Sequence, residues 1–307
     1  MSLFYMFSFP FIQRALIAGV LVSLCAALLG VPLVLKRYSM IGDGLSHVSF
    51  GALAVAVALG FTPLYFSIPV VVAAAFLLLR VADSPRWNSD AAIAVVSASS
   101  LALGVLVISR TSGMTTDVDN YMFGSVLAMS RGDVVLSAAL CAAVLALFIL
   151  FYHRIFAVTF DESFSRATGM KVGRYNALLA MLTALTIVLG MRMMGAMLIS
   201  SLVIFPALTA MRLFRSFLGV TLCAAVTSVA CFCAGLTVSF ACSTPVGATV
   251  VAANLALFLL ACLAARCGKI NLPNRRKGLQ FKKAGVILSS AVMALARCRG
   301  AILFRKG

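Results

Sequence analysis

Residues 12–35 read IQRALIAGVLVSLCAALLGVPLVL, and Arg14 is the only charged residue among them. A helix needs about 20 apolar residues to cross the ~30 Å hydrocarbon core of a bilayer. The run is too long for the apolar part of a cleavable signal peptide. Its Leu, Ala and Val residues form continuous runs, without the alternation typical of a membrane β-barrel. We therefore predict that this stretch is a membrane-spanning helix.

The rest of the chain repeats this pattern. Of the 307 residues, 63% are hydrophobic and only 11% are charged, and the mean hydropathy is +1.11. Soluble domains carry about 25% charged residues, so lipid must be the solvent for most of this chain. We predict an all-α polytopic membrane protein with eight or nine spans, at about 12–35, 39–60, 62–80, 90–109, 132–152, 174–191, 194–212, 217–240 and 246–265. The pair at 174–191 and 194–212 leaves the count open, because it reads either as a tight helical hairpin or as one broken helix.

Basic residues predict the orientation of the spans. Cytoplasmic connections carry an excess of Lys and Arg. Every odd span is followed by such residues, namely Lys36 and Arg37, Arg80 and Arg86, Arg154, Lys171 and Arg174, Arg212 and Arg215, and Arg266 and Lys269. These ends are therefore expected in the cytoplasm and the N-terminus outside, although Arg110 and Arg131 do not fit the rule.

The net charge of +17 is concentrated at one end of the chain. Eleven Lys and Arg and no acid follow from Arg266 onward, so the first 265 residues carry only +6, from 14 basic and 8 acidic residues. We predict a transmembrane permease domain over 1–270. Residues 271–307 are predicted to be a basic cytoplasmic tail, either disordered or lying along the membrane interface.

Asp43 and His47 stand out because ionisable side chains inside a membrane are costly and are usually functional. They are four residues apart in SMIGDGLSHVSFG (39–51), so a helix places both on one face. A carboxylate and an imidazole suit a first-row divalent metal ion, but from the spacing alone a hydrogen-bonded pair without an ion is the favoured explanation. Small neighbours such as Gly42 and Ser46 would let another helix approach closely.

Two connections are long enough to have structure of their own. Residues 110–131 contain an apolar FGSVLA segment that is predicted to be a short interfacial or re-entrant helix. Residues 153–173 contain ESFSRATGM (162–170), which reads as a short amphipathic helix. Asp161 and Glu162 lie at its N-terminus, where the helix dipole favours acids, and Gly169 lies where a C-cap is expected. The sequence contains no phosphate-binding GxxxxGK[ST] motif, so the chain is not expected to bind ATP through a P-loop.

Four segments together resemble the permease subunit of bacterial zinc and manganese ABC importers, and they resemble the zinc-uptake permease most. They are KRYSMIGDGLSHVSFG (36–51), NYMFGSVLAMSRGD (120–133), FDESFSRATGM (160–170), and GAMLISSLVIFPALTA (195–210) with the later STPVGATVV (243–251). The resemblance covers about residues 12–265 in the family's order. It implies the ABC importer transmembrane fold in a bacterial plasma (inner) membrane.

The resemblance also implies functional roles for particular residues. Asp43 and His47 match the family's transmembrane metal-coordinating pair. Residues 160–170, with Asp161, Glu162, Ala167 and Gly169, match the loop that couples the permease to its ATPase. Structural or pathway roles are expected for four further residues, Gly42, Ser46, Gly195 and Pro206, and the proline is predicted to break its helix.

The family implies three partners: a cytoplasmic ATP-binding subunit, an extracytoplasmic metal-binding protein, and a second permease subunit, identical or related. No cofactor is expected, since the ion would be cargo. We place zinc ahead of manganese, although one imidazole and one carboxylate do not separate the two. Three alternatives stay open: an importer of a siderophore or corrinoid complex, an ATP-independent metal channel or carrier, and a membrane scaffold.

Overall fold

The computed structural model of the protein describes residues 10–82, 89–111 and 131–266. Within these ranges the regular structure is entirely helical. The helices are α1 (Pro10–Leu35), α2 (Ile41–Ala58), α3 (Pro63–Ala82), α4 (Ser89–Thr111), α5 (Arg131–Leu150), α6 (Tyr152–Phe160), α7 (Glu162–Ala167), α8 (Val172–Met194), α9 (Ala196–Leu213), α10 (Phe217–Cys242) and α11 (Val246–Arg266). The FGSVLA segment, Asp117, Asp119 and the predicted tail over 271–307 lie outside the described residues.

The described helices confirm the prediction of eight or nine spans. Eight are long and apolar enough to cross a membrane, and a ninth span is possible if the bent pair formed by α5 and α6 counts as one. The two helices of that pair meet at 66°. The sequence had suggested one span over about 132–152, but the helix ends at Leu150 and a new one begins at Tyr152.

Gly195 resolves the ambiguous pair of spans. It ends α8 with φ +85°, a backbone conformation that glycine adopts without strain. Ile199 of α9 then packs against Gly190 of α8, where an added Cβ would come within 2.4 Å of the Ile199 side chain. Residues nine apart in one continuous helix would be about 13 Å apart. The chain therefore turns back on itself, and α8 and α9 form a helical hairpin.

The spans differ in how much of their surface other helices cover. In α2 and α8, 72% of the hydrophobic window is buried, whereas only 22% is buried in α4 and α11. The inner set, α1, α2, α8 and α9, supplies most of the fully buried side chains, such as Leu29, Leu45, Leu182 and Leu198. The helix that carries Asp43 and His47 is therefore among the most enclosed in the protein.

Small residues allow neighbouring helices to touch backbone to backbone. An added Cβ at Gly30 of α1 would lie 2.0 Å from the carbonyl oxygen of Val203 in α9, and one at Gly51 of α2 would lie 2.8 Å from that of Ser100 in α4. Gly42 is also buried, but a Cβ there would meet only the Val203 side chain, at 3.5 Å. Close approach therefore depends on Gly30 and Gly51 more than on Gly42.

Pro206 does not break its helix, contrary to the prediction. α9 runs from Ala196 to Leu213 with Pro206 inside it. Proline has no N–H to donate to the carbonyl of Leu202, four residues earlier, but the helix continues through this missing bond. The interruption that the sequence suggested in this region lies at Gly195.

The chain divides into two compact units, Met1–Cys262 and Leu263–Gly307. The first contains the helices from α1 to α10 and most of α11. In the second, only the last residues of α11 are described. The predicted boundary between a transmembrane domain over 1–270 and a tail stays a prediction.

Candidate metal pair and coupling segment

Asp43 and His47 lie on one face of α2. Asp43 is in the first turn, where the helix dipole favours a carboxylate. His47 Nε2 lies 3.7 Å from Asp43 Oδ2. This is longer than a hydrogen bond. Two atoms that each bind one zinc ion at about 2.1 Å, at a tetrahedral angle, would be about 3.4 Å apart. The observed spacing is therefore close to that of two ligands of a common ion.

Two serines orient the Asp43 carboxylate and the helix around it. The Ser200 hydroxyl of α9 has two acceptors within reach, the Ala196 carbonyl at 3.0 Å and Asp43 Oδ1 at 3.3 Å, and shares its one proton between them. Ser46 donates to the backbone carbonyl of Asp43 at 2.7 Å, and its hydroxyl lies 3.4 Å from that of Ser200. The sequence reasoning identified Ser46 only as a small residue and missed Ser200, which is 157 positions from Asp43 in the chain.

The pair is partly open on the surface of a single chain. The Asp43 side chain is 42% exposed and that of His47 is 19% exposed, yet His47 Nδ1 is itself buried and has no hydrogen-bond partner among the described residues. An unsatisfied buried polar atom costs about 1–3 kcal/mol. Across the described ranges, no group of three or more His, Cys, Asp or Glu side chains is close enough to hold a metal ion. One chain alone therefore offers two ligands there.

The predicted short helix at 162–170 is α7, over Glu162–Ala167. Asp161 caps its N-terminus, since its Oδ1 accepts a hydrogen bond from the Phe164 N–H at 2.8 Å. Gly169 has φ +80°, and the Met170 N–H bonds to the Ser165 carbonyl at 3.0 Å. This is the Schellman motif, in which glycine follows the helix end. Gly169 therefore ends the helix as expected, Asp161, expected only as an acid favoured by the helix dipole, is its N-cap, and Ala167 is its last residue.

Glu162 ties α7 to two transmembrane helices. Lys36, just beyond the end of α1, lies 2.6 Å from Glu162 Oε1 and also donates to Asn176 Oδ1 in α8. Asn176 Nδ2 donates to the same Glu162 oxygen at 3.1 Å. The Lys36 side chain is only 6% exposed and Asn176 is 4% exposed. These three residues, which we call the Lys36 triad, form a largely buried polar link.

The environment of Glu162 lowers its pKa. Burial alone would raise the pKa, but the hydrogen bonds from Lys36 and Asn176 and the charges of Lys36 and Arg166 outweigh this effect. Arg166 Nη2 lies 3.6 Å from the second carboxylate oxygen. Glu162 is therefore ionised at neutral pH and holds the buried Lys36 as an ion pair.

The turn that carries Lys36 is short and closely bonded. Arg37 has φ +64°, the Tyr38 N–H bonds to the Leu33 carbonyl at 2.8 Å, and the Ile41 N–H bonds to the Tyr38 carbonyl at 3.0 Å. α2 begins at Ile41, two positions before Asp43. The Lys36 triad therefore holds α7 against the turn that starts the helix of Asp43 and His47. The sequence reasoning used Lys36 only for membrane orientation.

The model of one protein family, described as the ABC 3 transport family, matches residues 8–265 of this chain. The membrane protein ZnuB of a high-affinity zinc uptake system from Haemophilus influenzae is 29% identical over 82% of this chain and 97% of its own length. The membrane protein MntC of a manganese transport system from Halalkalibacterium halodurans is 31% identical over 83% of this chain and 87% of its own length. A solved structure of PsaBC from Streptococcus pneumoniae in complex with Fab superposes with a TM-score of 0.75, at 29% identity, over 82% of this chain and 91% of that one.

Proposed function

The chain belongs to the ABC 3 transport family, and from that premise we propose that it is the permease subunit of an importer for a divalent transition-metal ion. Its relatives include a membrane protein of a zinc uptake system and one of a manganese transport system. We place zinc first and manganese second. The imidazole of His47 favours zinc, the carboxylate of Asp43 suits either ion, and neither excludes the other metal.

The observation that carries this proposal is the pair itself. Asp43 Oδ2 and His47 Nε2 lie 3.7 Å apart on an enclosed helix, and no Lys or Arg of the described chain forms an ion pair with Asp43. An ionisable pair in a membrane span is costly unless it has a use, and a metal ion in transit provides one. Ser200 acts as an outer partner that orients the carboxylate.

Two ligands are too few for a zinc site, which takes four. A second permease chain that places its own Asp43 and His47 opposite these would supply the other two. The partial exposure of both side chains in one chain leaves room for that arrangement. We therefore propose a dimer in which the ion passes between the two copies of α2, delivered from outside by an extracytoplasmic metal-binding protein. The site must bind the ion strongly enough to admit it and weakly enough to release it.

ATP hydrolysis would act through α7 from a separate cytoplasmic subunit. The Asp161 cap and the Gly169 motif give this six-residue helix a defined shape at both ends. The Lys36 triad supports its role, because a push on α7 moves Glu162, and Glu162 holds the turn that begins α2. Such a push would change the distance between the two copies of the Asp43–His47 pair and so alternate access to the ion.

The test is uptake of radiolabelled zinc and manganese into cells that carry Asp43→Ala or His47→Ala. We expect each variant to lose at least 90% of uptake, in line with the roughly 10- to 100-fold losses that follow changes around a metal. His153→Ala is the matched control, since His153 is an exposed histidine on α6, and it should transport normally. Wild-type uptake by both α2 variants, at equal expression, would show that the ion does not bind there.

A second measurement separates an ATP-driven importer from a channel. Replacing residues 160–170 by Gly and Ser should abolish co-purification of the ATPase and uptake together, while the protein still reaches the membrane. If uptake continued without the ATPase, the permease would be a passive channel or carrier. If uptake of a metal chelate but not of the free ion were found, the substrate class would be wrong.

A further inference from the structure

A basic cavity of about 570 Å³ opens beside the bend between α5 and α6. Arg154, Lys171 and Arg174 contribute three positive charges to its lining, and Phe151 and Leu178 contribute an apolar wall. No acidic side chain lines it, and no carboxylate of the described ranges lies within ion-pair distance of these three cations. By contrast, the nearby cations Lys36 and Arg166 both pair with Glu162. The cavity therefore has an unbalanced positive charge.

Arg154 is held in place before any ligand arrives. Its Nη1 donates a hydrogen bond to the Tyr175 hydroxyl, and its Cζ lies 5.7 Å from the centre of the Tyr175 ring and 6.0 Å from that of Phe151. Cation–π contacts of this kind fix the plane of a guanidinium group. α8 begins at the same cavity, and no side chain caps its N-terminus, so the N–H groups of its first turn add further positive potential.

If α5 alone crosses the membrane and α6 lies along its surface, the cavity lies at the depth of lipid headgroups. The apolar helix from Val134 to Leu150 has 17 residues, which span about 25 Å at 1.5 Å per residue. This is slightly less than the hydrocarbon core, and the chain then turns by 66° at Phe151. Arg174 is in the first turn of α8, which is the end of another span. The cavity is therefore bounded by two span ends, on the side that the basic residues place in the cytoplasm.

We propose that this cavity binds the headgroup of an anionic phospholipid from the cytoplasmic leaflet. The phosphate would sit between Arg154, Lys171 and Arg174, and the start of an acyl chain would lie along Phe151 and Leu178. A carboxylate from a partner protein would also match the charge, but it would leave the apolar wall without an apolar group to cover it. The mixed lining and the depth together favour a lipid. The proposal does not depend on which ion the protein transports.

The expected selectivity follows from the number of cations. Each Lys or Arg near a membrane surface favours an anionic lipid about five-fold. Three such residues give a preference of about 100-fold for phosphatidylglycerol over the zwitterionic phosphatidylcholine. Raising the salt concentration should weaken this preference, since the three cations are exposed.

The test is native mass spectrometry of the purified full-length protein with equal amounts of phosphatidylglycerol and phosphatidylcholine. The wild type should retain phosphatidylglycerol preferentially, and the triple variant Arg154→Gln, Lys171→Gln, Arg174→Gln should lose about 100-fold of that preference. Arg215→Gln is the matched control, because Arg215 is an exposed cation after α9 and is not among the residues that line the cavity. Equal lipid retention by the wild type and the triple variant would overturn the proposal.

Two further measurements test this interpretation. If the triple variant does not fold, Lys171→Gln and Arg174→Gln alone should each lose about five-fold, and no loss in either would count against the cavity. Inorganic phosphate is then offered in place of lipid. Binding of phosphate alone, without any preference between the two lipids, would make the ligand a free anion. Loss of ATPase co-purification in the triple variant with unchanged lipid binding would make the cavity a protein contact, which also overturns the proposal.

Discussion

Replacing Gly30 by Ala should destabilise the protein more than any other single added methyl group between α1 and α9. The new Cβ would lie 2.0 Å from the Val203 carbonyl oxygen, 2.9 Å from its carbon and 3.2 Å from its Cα, all of them backbone atoms. Ordinary contact begins near 3.4 Å, so α1 and α9 would have to separate by about 1.4 Å. No side chain can rotate away to relieve this overlap.

The free-energy cost of the Gly30→Ala overlap can be estimated from substitutions in well-packed protein cores. Inserting a methyl group into a well-packed interior costs about 1–3 kcal/mol, and a clash with backbone belongs at the upper end. At roughly 2–4 °C of melting temperature per kcal/mol, the variant should melt about 6–12 °C below the wild type. Separation of the helices also moves Ser200, one turn before Val203, away from Asp43, so metal affinity should fall as well.

The assay is thermal unfolding of purified protein in one detergent, with Gly42→Ala as the matched control. Gly42 is buried against the same residue, Val203, but its added Cβ would meet only a side-chain methyl at 3.5 Å. We expect Gly42→Ala to melt within about 2 °C of the wild type. If Gly30→Ala and Gly42→Ala melted at the same temperature, the close approach of α1 and α9 would not be present in the folded protein.

Three further outcomes are expected. Asp161→Ala should destabilise α7 by about 1 kcal/mol through loss of its cap, seen as faster amide exchange at 162–167 only; unchanged exchange would contradict the capping role. Ser200→Ala should weaken metal binding about ten-fold, whereas Ser201→Ala, which removes a hydroxyl bonded only to the Leu198 carbonyl, should not; equal losses in an isothermal titration would refute the distinction. The pKa of Glu162 is lowered in the folded state from 4.5, so its stabilising effect is complete above that value and is lost as the pH falls through the lower, folded pKa. Glu162→Gln should flatten this acid-side decline in melting temperature, and an unchanged profile would mean that Glu162 is not the group responsible.

The spans were predictable because each is a local run of apolar residues, and the same is true of the short helix α7. Asp161 and Gly169 are caps whose residue types are typical of helix starts and ends, so their positions could be read directly. The spacing of Asp43 and His47 likewise defines a shared helix face without any tertiary information. These features depend only on residues within a turn or two of each other.

The features that the sequence did not reveal depend on distant residues or on weak local signals. Lys36 is 126 positions from Glu162 and 140 from Asn176, and nothing near it distinguishes a buried lysine from one that faces the cytoplasm. The sequence around Phe151 contains no Pro or Gly that would predict the bend there. Pro206 was a misleading signal, because a helix held by its neighbours on several sides can continue past one missing hydrogen bond.

The Lys36 triad connects α7 to the turn that precedes α2, so that the two helices are mechanically linked. A six-residue helix has too few internal hydrogen bonds to transmit force unless something anchors it. Glu162 provides the anchor through a 2.6 Å ion pair to a lysine that is almost fully buried, and breaking that pair would leave a charge without a partner in a poorly solvated place. Displacing α7 while the ion pair stays intact must therefore move the turn at 36–40. Asp43 follows that turn by only three residues. In the proposed mechanism, this polar link would carry a displacement of α7 to the Asp43–His47 pair.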